Sequence, residues 1–353
     1  MANILYGVNG EGAGHSTRSK EVLSHLVQRG HSVHVVSFDR GLKNLAKDFE
    51  VTEIYGLRFA YVNNQVRYRK TLARNLLRTP SVIRSLKRLE SLAEGWRIDV
   101  VVTDFEPLSC AVGRLKRLPI VSIDNQHCLT NARVSYPRRY AADAAAAKLV
   151  TRIMTPGADA YLAISFFEAP VRGRKTFLFP PILRQEILRA QASAGSHVLV
   201  YVTSPSADLV RILRSAPGQF ICYGFEREGM DGNLWFKRPS LETFFADLLS
   251  CRAIIGNSGF SLVSEALHLG KPYLAVPVKR QFEQIFNAYY LDKMGYGAYW
   301  EELDGDRVRR FLANLDAYAA SLAAYPRHDN SALLAKLDDL IGQYLPRSRG
   351  AAS

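Results

Sequence analysis

Two sets of residues in this sequence could do chemistry, and they lie far apart in the chain. His15 follows the glycine-rich run Asn9-Gly10-Glu11-Gly12-Ala13-Gly14, at the mouth of a helix expected over 16–29. A helix N-terminus disfavours imidazolium and keeps the ring neutral, as a general base requires. An incidental cap is the plainer reading of the same residue. Far downstream, Asn257-Ser258-Gly259 reads as a turn opening a helix over 260–269, closed by Gly270 and Pro272. That helix start offers unpaired backbone N–H groups and a positive dipole end, which suits phosphate. Glu265 lies further along the same helix. A carboxylate there is too far from the phosphates to repel them strongly, but it can accept hydrogen bonds from a ribose diol. The stretch reads as a nucleotide-sugar site.

The elements that must position these residues form an α/β pattern. A strand over 4–8 runs into the glycine loop, and a second follows the helix at 33–38, the opening of a Rossmann-like half. Gly10, Gly12 and Gly14 alternate and do not match the GxGxxG spacing, so a tight strand-to-helix turn explains them equally well. A strand over 98–103 delivers Asp104-Phe105-Glu106-Pro107, and one over 119–123 delivers Asp124-Asn125-Gln126-His127. Ligands of open α/β sheets bind outside the carboxyl ends of strands, so these clusters should converge with 9–15 at one sheet edge. Gly12, Gly14, Glu106, Asn125 and His127 are expected on an acceptor side. Asp104 either orients His15 or is itself the base, although it also suits a helix N-cap; Asp124 and His127 also suit a plain loop.

Pro180-Pro181 and the polar segment 191–196 mark a hinge region, after which a second βα series begins at 197. Its turn Ser204-Pro205-Ser206 brings Ser204 to the expected donor phosphates. Asp304-Gly305-Asp306 has the DxD spacing of a metal–nucleotide motif, but it heads an amphipathic helix expected over 307–322, where capping is the simpler explanation. The expected domains are 1–185, 186–330, and a segment 331–353 whose helix packs back on the first.

The 353 residues suit two domains, and 48% hydrophobic with 22% charged residues fits a soluble globular protein. A net charge of +13 favours anionic partners. The four cysteines show neither CxxC nor zinc spacing, so a reduced compartment and no metal are expected. With no signal peptide and no long apolar run, a cytoplasmic protein is expected. Arg58, Arg67, Arg69, Lys70, Arg74, Arg78, Arg84, Lys87 and Arg88 crowd the stretch 58–88, which holds no acid. Lys70, Arg74 and Arg78 share a helical face, and Thr79-Pro80 starts a second helix. Arg67, Lys70, Arg74 and Arg78 would meet anionic lipid headgroups or a phosphorylated acceptor; an ordinary solvated face is the alternative. Few aromatics accompany them, which disfavours nucleic acid.

The two Rossmann-like halves, the glycine turn with its histidine, and the 252–297 stretch together resemble the GT-B glycosyltransferases. SEAL at 264–267, Gly270-Lys271-Pro272, Gln284 and Asn287-Ala288 are similar to the donor half of UDP-sugar transferases of the MurG type. DFEP, SIDNQH and QFEQ resemble a family of bacterial and archaeal glycosyltransferases with little characterisation. The resemblance implies a GT-B fold, two Rossmann-like domains facing across a cleft. It implies that Glu265 binds ribose, that Ser258 and Gly259 face phosphate, and that Gln284, with Asn287, contacts the donor. It implies an inverting, metal-independent transfer from a nucleotide-diphosphate sugar, with no cofactor. The acceptor hydroxyl would be on a lipid or lipid-linked molecule at the membrane surface. Thr203-Ser204-Pro205-Ser206 departs from the family's glycine-bearing second loop. Gly12 to His15 with Arg18 also resembles nucleotide-sugar hydrolases of similar fold, so hydrolase or epimerase chemistry stays open. A non-catalytic protein binding anionic surfaces or nucleic acid is the reading from another class.

Overall fold

A computed structural model describes residues 1–56, 61–62, 65–66, 79–203, 205–238 and 240–345. Arg67, Lys70, Arg74, Arg78 and Ser204 lie outside these residues. The chain divides into two compact units, Met1–Ala60 with Arg67–Arg184 and Asp329–Ser353, and Tyr61–Val66 with Gln185–His328.

The first unit is built on strands β1 (Asn3–Val8), β2 (Ser32–Ser37) and β3 (Val51–Glu53). A short antiparallel pair follows, β4 (Tyr61–Val62) with β5 (Gln65–Val66), which groups with the second unit. Strands β6 (Val100–Asp104), β7 (Ile120–Asp124), β8 (Ala160–Ile164) and β9 (Thr176–Phe179) complete a seven-stranded parallel sheet in the order β3-β2-β1-β6-β7-β8-β9. Every residue of β6 and β7 is buried, the pattern of parallel strands covered on both faces. Leu89, Ala93, Leu108 and Val112 pack with Leu5, Val101 and Ile120 in the core on one face. The helix Ser331–Tyr344 belongs to this unit, where Asp338 Oδ1 lies 2.9 Å from His25 Nε2 on the helix Gly14–Gln28.

The order reverses between β1 and β6, which pair in register with Val8 opposite Asp104. This is a topological switch point, where the loops leaving two neighbouring strands diverge and open a crevice at their carboxyl ends. The glycine loop and Asp104 both lie there. Gly10 is fixed by packing, since a Cβ would stand 2.1 Å from the Phe38 carbonyl oxygen.

The second unit repeats the plan. Its strands are β10 (His197–Tyr201), β11 (Gln219–Tyr223), β12 (Gly229–Asp231), β13 (Leu234–Phe236), β14 (Ala253–Gly256), β15 (Tyr273–Ala275) and β16 (Gly297–Tyr299). They order as β12-β13-β11-β10-β14-β15-β16, parallel except for β12 with β13. Here the switch point lies between β10 and β14, where Tyr201 pairs with Gly256. Val200, Cys222, Ile255, Leu274 and Phe311 are central to its core.

Two local expectations are corrected. The helix expected over 307–322 is two, Gly305–Ala313 and Leu315–Ala323, divided at Asn314, whose side-chain Nδ2 donates to Arg310 O. The cap ahead of Pro107 is Glu106, and Asp104 is left for other work. Asp304 caps its helix by accepting from the Arg307 N–H at 2.8 Å, the simpler of the two readings of the DxD spacing.

Candidate active site

In the first unit the helix Gly14–Gln28 begins directly after the glycine loop, so His15 occupies its first turn. One turn on, Arg18 and Ser19 share its face, as residues three and four apart on a helix do. All three meet Asp104 at the end of β6. His15 Nδ1 lies 2.8 Å from Asp104 Oδ1. Arg18 donates through Nε to Oδ2 at 2.7 Å and through Nη2 to Oδ1 at 2.5 Å. Ser19 Oγ donates to Oδ2 at 3.0 Å. Arg18 Nη1 reaches across to Asn125 Oδ1 at 2.9 Å, tying in the loop after β7.

Burial separates the roles. Asp104 is 1% exposed and Arg18 4%, whereas the His15 side chain keeps 14%. Burial pushes the Asp104 carboxyl up, but Arg18 and His15 together pull harder and hold it below the usual carboxylate range. Asp104 is therefore a buried anion with its oxygens already engaged, a poor proton acceptor and a good anchor. Arg18 Nη2 also lies 2.8 Å from His15 Nδ1. Guanidinium only donates, so that contact and the Asp104 contact call for opposite tautomers of the ring. The Phe105 ring stacks beside His15 at 6.4 Å, on a backbone held at φ 56°. Phenylalanine rarely adopts that conformation, and such strain gathers at functional sites. Asn9 Nδ2 secures it by donating to Phe105 O at 3.2 Å.

In the second unit Asn257 is the organiser. Its Oδ1 accepts from the Thr203 N–H at 2.7 Å and from Thr203 Oγ1 at 3.0 Å, across the switch point. Its Nδ2 donates to Val276 O at 2.7 Å, so one side chain pins the loops after β10, β14 and β15. Beyond it Gly259 caps the helix Phe260–His268 with no side chain to satisfy the first N–H groups. A Cβ on Gly259 would meet nothing within 4 Å, and its φ of −66° suits any residue. Neither packing nor backbone requires glycine here, and the space in front of the helix mouth is open. Glu265 lies on this helix, largely buried.

A model of glycosyl transferase family 1 matches residues 2–316. The chain belongs to that family. Comparison with curated proteins gives no match. Among solved structures, this glycosyltransferase is similar to the glycotransferase of kitacinnamycin, with a TM-score of 0.70 and 16% identity over 98% of this chain and 99% of that one. VinC in complex with dTDP gives 0.64 and 15% over 97% and 99%. The spinosyn rhamnosyltransferase SpnG, complexed with spinosyn aglycone, gives 0.62 and 18% over 96% and 100%. These likenesses fix the architecture as the GT-B fold.

Several expected ligand contacts in the glycosyltransferase are spent inside the protein. Glu106, fully buried, accepts from the Leu108 and Ser109 N–H groups at 2.9 and 2.6 Å, so its carboxylate caps a helix and does not face an acceptor. His127 sits with Asp124 at 2.7 Å through Nδ1 and with Thr155 Oγ1 at 3.2 Å through Nε2, which occupies both ring nitrogens within the fold. Ser258 is fully buried and donates to Gln284 O at 2.8 Å; its hydroxyl is turned away from the helix mouth. Asn287 Nδ2 donates to Ser258 O at 3.0 Å and supports the turn from behind. Gln284 Oε1 accepts from the Val278 N–H at 2.9 Å, leaving Nε2 as the end that could address a sugar. Asn125 supports Arg18. Gly12, at φ 79°, gives the loop a left-handed residue, and Gly14 opens the helix.

Lys271 of the Gly-Lys-Pro run also works inward. It is 4% exposed, and Nζ donates to Ser193, Leu249 and Cys251 carbonyl oxygens at 2.5, 2.8 and 2.6 Å. Motif reading touches Arg18 only through the hydrolase resemblance, takes Asn257 as a turn residue and passes over Ser19. The His-x-x-Arg-Ser spacing was the available signal for Arg18 and Ser19.

Proposed function

We propose that this enzyme moves a sugar from a nucleotide-diphosphate sugar, a UDP-sugar as the first choice, to an acceptor hydroxyl with inversion at C1. His15 is the base. With Nδ1–H donating to the Asp104 anion, Nε2 carries the lone pair and takes the acceptor proton. The acceptor oxygen bonds to C1 as the C1–O bond to the diphosphate breaks on the opposite side. The nucleoside diphosphate leaves with the bonding electron pair, and the proton ends on His15.

In the donor half, the helix mouth at Gly259 takes the diphosphate charge without a metal ion. Glu265 addresses the ribose hydroxyls, and Gln284 Nε2 addresses the sugar. VinC and SpnG, seen with dTDP and with an aglycone respectively, support a nucleotide donor and a separate acceptor. A lipid or lipid-linked acceptor is proposed from the basic stretch 58–88, of which Arg84, Lys87 and Arg88 are exposed on the helix Thr79–Gly95.

The observation that carries the proposal is the His15–Asp104 pairing at the β1/β6 switch point. The test is a thermal-shift screen of nucleotide sugars, followed by single turnover of wild type and His15→Ala with the donor found. His15→Ala should keep the donor-induced rise in Tm and lose transfer by about a hundredfold or more. Normal turnover by His15→Ala would remove His15 as base. Rapid stoichiometric sugar release without acceptor would make the enzyme a hydrolase. Transfer abolished by EDTA would overturn metal independence, and a retained anomeric configuration would overturn inversion.

A further inference from the structure

The helix Ala141–Met154 turns an apolar face to solvent. Ala144, Thr151 and Met154 are its buried residues. Its exposed residues are Ala141, Ala142, Ala145, Leu149, Arg152 and Ile153. At 3.6 residues per turn these fall within one arc of about 120°. All but Arg152 are apolar, and the arc holds no acid. Leu149 is 57% exposed and Ile153 61%. A surface helix ordinarily shows charges on this side, and a contiguous apolar strip marks an interaction site.

The strip has a cationic frame. Arg138 and Arg139 are exposed on the turn Arg138–Tyr140, which runs directly into the helix. Arg152 lies within the arc near the other end. Asp143, the helix's only acid, falls outside the arc. A second copy of the chain is a poor partner. Twofold pairing of this face with the helices antiparallel would set Arg152 of one copy toward Arg138 and Arg139 of the other. An anionic bilayer satisfies both features. Leu149 and Ile153 would enter the headgroup–acyl boundary, while the arginines reach lipid phosphates along their aliphatic stems.

We propose that the exposed face of Ala141–Met154 docks this glycosyltransferase on anionic lipid bilayers, with Leu149 and Ile153 as its apolar anchors. The claim does not rest on the reaction proposed above, and it involves a different segment from the basic stretch 58–88.

Vesicle co-sedimentation tests it with the full chain. Wild type should bind phosphatidylglycerol–phosphatidylcholine vesicles well above pure phosphatidylcholine, each cation adding roughly a fivefold gain in partitioning. Leu149→Glu/Ile153→Glu should lower binding to the mixed vesicles by about tenfold or more, and Leu149→Trp/Ile153→Trp should raise it, since tryptophan favours the interface. Far-UV circular dichroism and the donor-induced rise in Tm, unchanged in both variants, keep this test separate from the donor reading. Equal wild-type binding to both vesicle types, or no change in either variant, overturns the proposal. A wild-type dimer by light scattering that Leu149→Glu/Ile153→Glu splits also overturns it and makes the face an interface between copies.

Discussion

Arg18 grips Asp104 with two nitrogens, Nε on Oδ2 at 2.7 Å and Nη2 on Oδ1 at 2.5 Å, in a site where neither residue is more than 4% exposed. A bidentate pair of this kind fixes the plane of the carboxylate as well as its charge. The plane matters because Oδ1 is also the atom nearest the His15 ring. Arg18 therefore holds the position that would orient His15, the proposed base. Lysine cannot reproduce the fork. Arg18→Lys should lower kcat by about a hundredfold, the scale expected when a catalytic group is misplaced by about an ångström, with KM for the donor little changed. Steady-state kinetics at saturating acceptor check this. Wild-type kcat in Arg18→Lys would leave Arg18 a purely structural residue.

The same pair predicts a pH effect on stability. A carboxyl lowered on folding adds stability that is present above its unfolded pKa of about 4 and is lost as pH falls through the lower folded value. Asp104 is such a group because Arg18 and His15 outweigh its burial. Arg18→Met keeps the burial and removes the main counter-charge, so the carboxyl should rise and the variant should lose stability as pH increases from about 4. At neutral pH the loss should be about 3–5 kcal/mol, the usual result of leaving a buried charge unpaired. Thermal unfolding from pH 4 to 7 should show the gap in Tm between wild type and Arg18→Met widening with pH. A gap that stays level or narrows counts against the charge assignment.

The general plan was readable in the sequence because strand and helix periods and their terminators act locally. The three polar clusters could be placed at one sheet edge from that plan, and His15, Asp104 and Asn125 do meet through Arg18. What the sequence could not sort was the direction in which a short polar side chain points. Glu106 caps a helix start, Ser258 stands in a turn and Asn287 lies within the helix Phe282–Lys293; at each, a backbone group and a ligand compete for the same oxygen or amide. Three-dimensional packing decided for the backbone in each case. Asn257 shows the reverse omission: it looks like an ordinary turn residue, yet it joins three loops that are distant in sequence. The edge strands β3, β9, β12 and β16 were missed for a related reason, since three or four residues carry too little period to register.

Lys271 illustrates a motif residue whose role is stability. Its ammonium gathers three carbonyl oxygens around the end of the helix Leu241–Ser250, where a positive charge also meets the negative end of the dipole. Lys271→Met fills similar space but leaves those buried acceptors without their donor. It should destabilise the protein by about 2–4 kcal/mol. Denaturant unfolding measures this, and the surviving folded fraction should still show the donor-induced rise in Tm. A loss of donor response with unchanged stability would instead put Lys271 in the site.

Gly259 separates a ligand effect from a folding effect. Its φ of −66° and ψ of 137° are open to any residue, and a Cβ would meet no atom within 4 Å. Valine there should cost the fold little, because β-branched residues accept this extended backbone. The added methyl groups would stand in front of the N–H groups that cap the helix Phe260–His268, where the diphosphate is proposed to bind. Gly259→Val should therefore keep its Tm in the absence of ligand and raise the Kd for the nucleoside diphosphate by about tenfold or more, equivalent to about 1.4 kcal/mol. Calorimetric titration with the nucleoside diphosphate alone measures this without any assumption about the acceptor. Unchanged affinity in a folded Gly259→Val would move the diphosphate away from this helix mouth.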